Sequence, residues 1–246
     1  MRSMSLQAKM FNRKASDPKN KPDHILETLE LQPGQTVADI GAGGGYFSLR
    51  FADAVRERGK VYAVDTNAKF LEFIRDQAQE RGLPNLETFL ATEETLVLPA
   101  HSLDLIFMRN ISHHLQNRAK YFRELRRLLT PHGRIALIEY SHPRRLSFRG
   151  ISGHYVPKEI LLKEMREAGY TLQKDLSFLP EQSFTIFSSK KEGRKSDTKL
   201  KQLEDTPSRA RLDCQNTSIP LENRLSASTR TISGGRMLRT AVENFF

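Results

Sequence analysis

The sequence predicts an α/β fold: a doubly wound, seven-stranded, mostly parallel sheet with helices on both faces. Three observations lead to this prediction. Short apolar runs alternate with amphipathic helical segments, which is the pattern of a parallel sheet built from crossover units. A glycine-rich turn, "GAGGG", follows the first apolar run. The last two runs are joined by only a short Pro-Glu-Gln turn, so the second should run antiparallel, at or near an edge.

The elements follow in order from local signals. Apolar residues at helical spacing predict helices, Asn67 is a suitable cap for one of them, and Gly82 suits its end. The predicted helices cover 22–31, 44–58, the segment between Asn67 and Gly82, 117–129 and 156–168. The predicted strands are Thr36–Ile40, 60–65, 86–91, 103–108, 134–140 and the final pair "YTLQKDLSFL" and "SFTIFSS", with "PHG" at 131–133 as a turn.

The two ends of the chain differ in composition from the middle. Residues 1–22 mix Lys, Asn, Ser and Pro without a clear period and are interpreted as a flexible basic arm. Residues 191–246 are rich in Lys, Arg, Ser and Thr and poor in apolar residues, so they should form a disordered basic tail. Residues 23–190 remain as the folded domain.

Charge and cysteine content restrict the function classes. The net charge of +10 lies mainly at the ends: residues 1–24 hold six Lys/Arg against two Asp/Glu, and residues 190–246 hold twelve against seven. The nearly neutral middle argues against a folded surface that follows nucleic-acid phosphates. The single cysteine, Cys214, allows no internal disulfide and no cysteine metal cluster, and we expect no metal site. A reducing, cytoplasmic location fits best, and no apolar stretch is long enough to span a membrane.

The glycine turn narrows the choice of cofactor. A dehydrogenase turn has the pattern G-x-G-x-x-G, but Tyr46 occupies the position of the last glycine. The chain instead has D-x-G-x-G-x-G, formed by Asp39, Gly41, Gly43 and Gly45. Glycines at these positions allow the backbone to pass close to a ligand, where a Cβ would collide.

This pattern resembles that of class I S-adenosylmethionine-dependent methyltransferases. The resemblance covers about residues 36–188 and includes "VADIGAGGG", "VYAVD", "LPAHSLDLIF", "HHL" and "ELRRLLTPHGRIALIEY". It points to the type 11 branch, which contains the ubiquinone/menaquinone-biosynthesis and small-molecule enzymes, and it implies a Rossmann-like fold with S-adenosyl-L-methionine as cofactor.

The resemblance also implies roles for individual residues. Asp39 should orient the glycine turn and the cationic methionine end, and Asp65 should accept hydrogen bonds from both ribose hydroxyls, unless it only caps the following helix. Relatives often have an acid after the third strand that meets the adenine; here the position falls on Thr92, and Thr92 or Glu93 should take the role. Asn110 should line the methionine end, unless it is an ordinary loop cap.

Candidates for a general base are few. His113 and His114 follow the fourth strand, although they suit packing at a helix start equally well. Tyr140 ends the fifth strand, where side chains should face the substrate. His142 and His154 flank a variable insertion that should form part of a lid. The insertion holds three arginines that suit an anionic substrate or, more simply, a solvated surface: Arg144, Arg145 and Arg149. We take His114, Tyr140 and His154 as the catalytic candidates.

The sequence indicates only the class of methyl acceptor. Residues 108–111 are "MRNI", so the chain lacks the Asn/Asp-Pro-Pro-Tyr signature of amino-methylating nucleic-acid enzymes. The folded region also lacks the cysteines that arsenite methyltransferases need. It has no room for the long helical insertions of plant-type O-methyltransferases. A small-molecule or lipid-like acceptor remains. The alternatives are an RNA or protein methyltransferase tethered by the basic ends, and a cofactor-binding module without catalysis.

Overall fold

The computed structural model describes residues 2–92, 96–140 and 155–189, with side chains described from Leu6 onward. All of them belong to one compact unit, Met1–Arg194. The predicted tail 191–246 lies outside the described residues. The insertion, with its histidines and arginines, and residues 93–95 also lie outside them.

A seven-stranded sheet forms the centre of the domain, in the spatial order β3-β2-β1-β4-β5-β7-β6. All neighbours are parallel except β7, which runs antiparallel to both β5 and β6, next to the edge. This confirms the predicted mostly parallel sheet with one antiparallel strand near its C-terminal end. The strands are β1 Thr36–Ile40, β2 Lys60–Asp65, β3 Leu86–Leu90, β4 Leu103–Arg109, β5 Leu129–Tyr140, β6 Tyr170–Leu176 and β7 Gln182–Ser189.

Helices cover both faces, because the central strands bury side chains on each side. In β4, Phe107 packs into the apolar cluster that contains Phe51, whereas Ile106 and Met108 pack into the opposite cluster, which contains Phe122. This alternation is the period-two pattern of a strand buried on both faces. The helices are α1 Arg2–Ser16, α2 Pro22–Leu29, α3 Tyr46–Val55, α4 Ala68–Glu80, α5 Arg118–Arg126 and α6 Lys158–Glu167.

The strand order reverses at β1, which pairs with β2 on one side and with β4 on the other. In open α/β sheets, ligands bind beyond the carboxyl ends of the strands at such a switch point. The glycine turn follows β1, Asp65 is the last residue of β2, and Asn110 follows β4, so all three lie at this edge of the sheet.

The prediction of a flexible arm at residues 1–22 was wrong for its greater part, because residues 2–16 form helix α1. The buried side chains of Ala8 and Ala15 lie on one face of this helix. Phe11, on the same face, makes an edge-to-face contact with Phe70 of α4, with ring centroids 5.5 Å apart. Two of these three side chains are alanines, so the helix has little hydrophobic signal in the sequence.

The turn predicted at 131–133 is also corrected. Strand β5 begins at Leu129, five residues earlier than predicted, and the Pro-His-Gly segment lies within it. The pairing with β4 shifts register between Leu103 and Leu105, so these residues form an irregular bulge in the ladder. The backbone of Gly133 packs closely here, since a Cβ would lie 2.6 Å from the carbonyl oxygen of Leu103.

Candidate functional site

The glycine turn after β1 is held by the protein itself. Its three alternate glycines have positive φ angles between +54° and +79°. The N–H of Gly41 donates to Val64 O at 2.8 Å, which ties the turn to β2. A Cβ on Gly41 would collide with Ile111, and one on Gly45 would lie 2.6 Å from Ile74 Cγ1. These two glycines are therefore required by internal packing and backbone conformation, in addition to any clearance for a ligand.

Asp65 connects the end of β2 to the glycine turn. Its Oδ2 accepts the N–H of Gly43 at 2.9 Å, and its Oδ1 accepts the N–H of Asn67 at 2.9 Å. Burial raises the pKa of Asp65, and the backbone donors partly oppose this effect. Asn67 caps α4 as predicted, through the N–H of Lys69. The carboxylate is thus held rigidly beside the backbone of the turn.

Asp39 lies beneath the turn, with only 3% of its surface exposed. Its Oδ2 accepts the hydroxyl of Ser48 at 2.5 Å, and the backbone N–H of Ser48 interacts with the same carboxylate. Burial raises the pKa of Asp39 to about 7, although the Ser48 hydrogen bonds and the charge of Arg109 oppose the shift. Asp39 therefore stabilises the first turn of α3, where backbone N–H groups have no partner within the helix.

Helix α1 packs against the glycine turn, and the sequence analysis did not predict this contact. The Asn12 side chain donates from Nδ2 to Gly44 O at 2.7 Å and accepts at Oδ1 the N–H of Tyr46 at 3.1 Å. A Cβ on Gly43 would lie 3.5 Å from the ring of Phe11, an ordinary contact distance. Phe11 therefore forms part of the wall beside the turn.

Asn110 follows β4 in a strained conformation, with φ of +56°. Its N–H donates to Ile138 O at 2.8 Å, and its Oδ1 accepts Nε2 of the buried Gln182 at 2.6 Å. A non-glycine residue in this region costs about 1–3 kcal/mol and is concentrated at functional sites. Gln182 holds the Asn110 side chain although the two residues are 72 positions apart, and the sequence interpretation did not include it.

Arg109 is a second residue that the sequence interpretation passed over. Its guanidinium carbon lies 5.4 Å from the ring centroid of Phe47. Burial lowers its pKa, whereas interactions with Tyr140, Asp39 and Tyr46 raise it. The Nε atom is buried and has no hydrogen-bond partner among the described residues.

A buried acid, Glu139, organises the segment that follows β4 on the opposite face of the sheet. It is fully buried, and its Oε2 accepts the N–H of Ser112 at 2.9 Å. Its Oε1 lies 3.1 Å from Nδ1 of His113 and accepts the N–H of Tyr140 at 3.0 Å. The sequence analysis did not single out Glu139. The feature that could have drawn attention to it is a lone acidic residue within the apolar strand "RIALIEY".

Two of the three catalytic candidates lie in the described part of the chain. His114 ends the short 3₁₀ helix Ser112–His114 with an exposed side chain, and its ring centroid lies 4.2 Å from that of His113. Tyr140 ends β5, partly buried, close enough to Arg109 to affect its pKa. His154 lies outside the described residues.

The adenine candidates follow β3. Thr92 is exposed, and Glu93 lies outside the described residues. The described ranges hold no group of three or more His, Cys, Asp or Glu side chains that suits a metal ion. Within the same ranges, no helix is long and apolar enough to cross a membrane.

Comparison with known proteins agrees with this geometry. Residues 38–137, which include the glycine turn, Asp65 and Asn110, match the family described as a methyltransferase domain. The domain belongs to the class I S-adenosylmethionine-dependent methyltransferases. A methyltransferase of Aquifex aeolicus, known from its crystal structure, has the same fold, with a TM-score of 0.67 and 23% identity over 73% of this chain and 95% of that one.

Two curated relatives define the neighbourhood within this methyltransferase family. The uncharacterized methyltransferase YcgJ of Bacillus subtilis is 31% identical over 140 residues, 57% of this chain and 49% of that protein. The ubiquinone/menaquinone biosynthesis C-methyltransferase UbiE of Shewanella frigidimarina is 26% identical over 133 residues, 54% and 53% of the two chains. The chain spans about half the length of these relatives.

The family implies S-adenosyl-L-methionine as the cofactor of this methyltransferase domain, and the residues at the switch point fit it. The Asp65 carboxylate accepts two backbone N–H groups within 2.9 Å, and a carboxylate has about four acceptor positions. Acceptor positions therefore remain for ribose hydroxyls. The turn beside it leaves the backbone of Gly43 without a side chain, next to the ring of Phe11.

Proposed function

We propose that the protein transfers the methyl group of S-adenosyl-L-methionine to a small-molecule or lipid-like acceptor by in-line displacement. The observation that carries this proposal is the hydrogen bond between Asp65 and the N–H of Gly43 at the switch point of the sheet. It holds a ribose-binding carboxylate against the turn that receives the nucleoside.

Each part of the chain then has a defined task. The cofactor supplies an activated methyl group on a sulfonium. Asp65 binds the ribose hydroxyls, and Thr92 or Glu93 meets the adenine amino group. Asp39 holds the turn and favours the cationic methionine end, and Asn110, fixed by Gln182, lines the floor of the reaction site.

Catalysis rests mainly on alignment in a dry cleft. Well-oriented reactants lower a barrier by about 7–11 kcal/mol, so a strong base is not required for every acceptor. Where the acceptor loses a proton, Tyr140, His114 and His154 are the candidate bases. Of the two described, Tyr140 is partly buried beside Arg109, whereas His114 is exposed.

The surroundings of the reaction site favour a modest apolar or aromatic acceptor. Tyr46 and Phe47 lie in the first turn of α3, and their rings meet edge to face with centroids 5.2 Å apart. Tyr46 and Tyr140 are both near enough to Arg109 to interact with its charge. The relative named as a C-methyltransferase of quinone biosynthesis is consistent with such an acceptor. A nearly neutral middle region gives no support to an RNA substrate.

A methyl-transfer assay over acceptor classes tests the proposal. The full-length protein is incubated with S-adenosylmethionine labelled on its methyl group and with separated small-molecule, lipid, RNA and protein fractions of a cell extract. We expect label in the small-molecule or lipid fraction with the wild type and with Asp76→Asn, an exposed acid on α4, and little with Asp65→Asn.

The other outcomes contradict the proposal in distinct ways. Label found only in RNA or protein would show that the acceptor is a macromolecule and not a small molecule or lipid. RNA methylation that falls steeply with salt would support tethering by the basic ends. Binding of S-adenosylhomocysteine without transfer to any fraction would indicate a cofactor-binding module.

A further inference from the structure

Arg109 differs in its partners from Arg118, which is also partly buried. Arg118 forms a bidentate pair with Glu164, with Nε 2.6 Å from Oε2. Arg109 has no ion pair and no hydrogen bond with any described residue, and its Nε is shielded from solvent. Its guanidinium carbon lies 5.4 Å from the ring centroid of Phe47, and Tyr140, Asp39 and Tyr46 are near enough to interact with its charge.

An unpaired guanidinium in such a place is costly. Removing a charged donor from water without a hydrogen-bond partner costs free energy, and burial accordingly lowers the pKa of Arg109. Asp39 is near enough to interact electrostatically, but its carboxylate is engaged by Ser48. The side chain thus keeps its donor capacity in a partly desolvated cleft.

The sheet register places Arg109 at the reaction site. Phe107 pairs with Asp39, so Arg109, two residues further on, lies on the same face of the sheet as Asp39. Arg109 pairs with Ile138, which puts Tyr140 on that face as well. The Arg109 guanidinium lies over the ring of Phe47 in the first turn of α3, which follows directly after the glycine turn.

We propose that Arg109 is a carboxylate-binding residue of the methyl-transfer cleft. Nε and a neighbouring amino group of a guanidinium form a two-donor edge that matches the two oxygens of a carboxylate. The carboxylate comes either from the methionine end of the cofactor or from the acceptor. This inference rests on the proposed function, since both sources belong to the methyl-transfer reaction.

The first arm of the test uses two cofactor fragments. S-adenosylhomocysteine has the amino-acid carboxylate, and 5′-methylthioadenosine lacks it. If the cofactor is the source, Arg109→Met weakens S-adenosylhomocysteine about 10- to 100-fold in calorimetric titrations, as loss of hydrogen bonds to a charged group does, and leaves methylthioadenosine unchanged. Arg58→Met, at an exposed arginine, is the matched control.

The second arm tests the acceptor as the source, with benzoate as the probe. Benzoate is titrated into protein saturated with S-adenosylhomocysteine and followed by ligand-observed NMR. If the acceptor supplies the carboxylate, Arg109→Met leaves the affinity for S-adenosylhomocysteine unchanged and weakens benzoate about 10-fold or more relative to Arg58→Met. Arg109→Lys keeps the charge without the two-donor edge, so it should lose less affinity for the same carboxylate ligand. If Arg109→Met does not fold, Arg109→Lys replaces it in both titrations.

Three results would overturn the inference. Unchanged affinity for both S-adenosylhomocysteine and benzoate in the Arg109 variants would show that no carboxylate binds there. An equal loss of methylthioadenosine affinity would show that Arg109 only supports the shape of the site. If the wild type bound neither adenosyl compound, the proposed function itself would fail, and this inference with it.

Discussion

The side chain of Asn12 makes two hydrogen bonds to the glycine turn, donating to Gly44 O at 2.7 Å and accepting the N–H of Tyr46 at 3.1 Å. The first N–H groups of a helix have no partner within it, so Asn12 acts as a cap for α3 supplied from another helix. A Cβ on Gly44 would collide with Asn12 and with the carbonyl oxygen of Ala8. Helix α1 is therefore fitted closely to the glycine turn.

Replacing Asn12 with alanine should weaken both the fold and cofactor binding. The change leaves the N–H of Tyr46 and the carbonyl of Gly44 without their partner, and loss of a cap costs about 1 kcal/mol. We expect a lower midpoint in thermal unfolding and weaker S-adenosylhomocysteine binding than in Lys9→Ala, an exposed position on the same helix. Equal affinity of the two variants for S-adenosylhomocysteine would show that the Asn12 contact of α1 does not support cofactor binding.

Alanine at Gly45 should destabilise the protein more than alanine at Gly82. Both glycines have positive φ, +79° and +63°, so each substitution strains the backbone by about 1–2 kcal/mol. Only Gly45 also brings its Cβ against a packed side chain, Ile74, whereas nothing lies within 4 Å at Gly82. Overpacking adds about 1–3 kcal/mol. Urea unfolding measures the difference, and equal losses would show that the turn tolerates a side chain.

Glu139→Gln should lower the free energy of unfolding by about 1–3 kcal/mol. The carboxylate accepts the N–H groups of Ser112 and Tyr140 on different oxygens, and an amide would turn its NH₂ group toward one of these donors. Glu159→Gln, at an exposed position of α6, is the control. Chemical denaturation that gave the same stability for both variants would contradict the account of Glu139.

Stability should fall as the pH rises from about 4 to about 7, because of Asp39. Burial raises its pKa in the folded protein to about 7, from the ordinary value of 3.8. Between these values the folded chain holds a proton that the unfolded chain has released, so raising the pH favours unfolding by up to about 1.4 kcal/mol per pH unit. Above the pKa of Asp39 in the folded protein, the loss of stability is complete.

Asp39→Asn should reduce this slope, because the substituted side chain does not titrate. Asp65, whose pKa burial also raises, should leave a smaller residual slope of the same sign. Denaturant unfolding at several pH values provides the measurement. A slope that is the same in wild type and Asp39→Asn would show that Asp39 titrates normally in the folded chain.

The sequence was sufficient for the parts of the fold that local patterns specify. The bounds of β1 and β2 agree with the prediction because both are short apolar runs bounded by turn residues, and Asn67 occupies the cap position that its spacing indicates. The glycine turn and Asp65 were found for the same reason, since each lies at a fixed offset from a strand end.

The rest of the site depends on contacts between distant positions. Asn12 reaches a turn 32 residues away, and Gln182 reaches Asn110 across 72. Arg109 appeared in the sequence only as the end of a strand; its unpaired Nε arises from the packing of Phe47 and the engagement of Asp39 by Ser48. No local period or motif encodes these relationships.

Calorimetric titration of S-adenosylhomocysteine and NAD into the wild type, Asp65→Asn and Asp76→Asn tests the central claim most directly. We predict that the wild type and Asp76→Asn bind S-adenosylhomocysteine alone, and that Asp65→Asn binds it about 10- to 100-fold more weakly, as loss of hydrogen bonds to a charged group requires. Binding of NAD in place of S-adenosylhomocysteine, or equal affinity in Asp65→Asn, would contradict the assignment of this turn to S-adenosylmethionine.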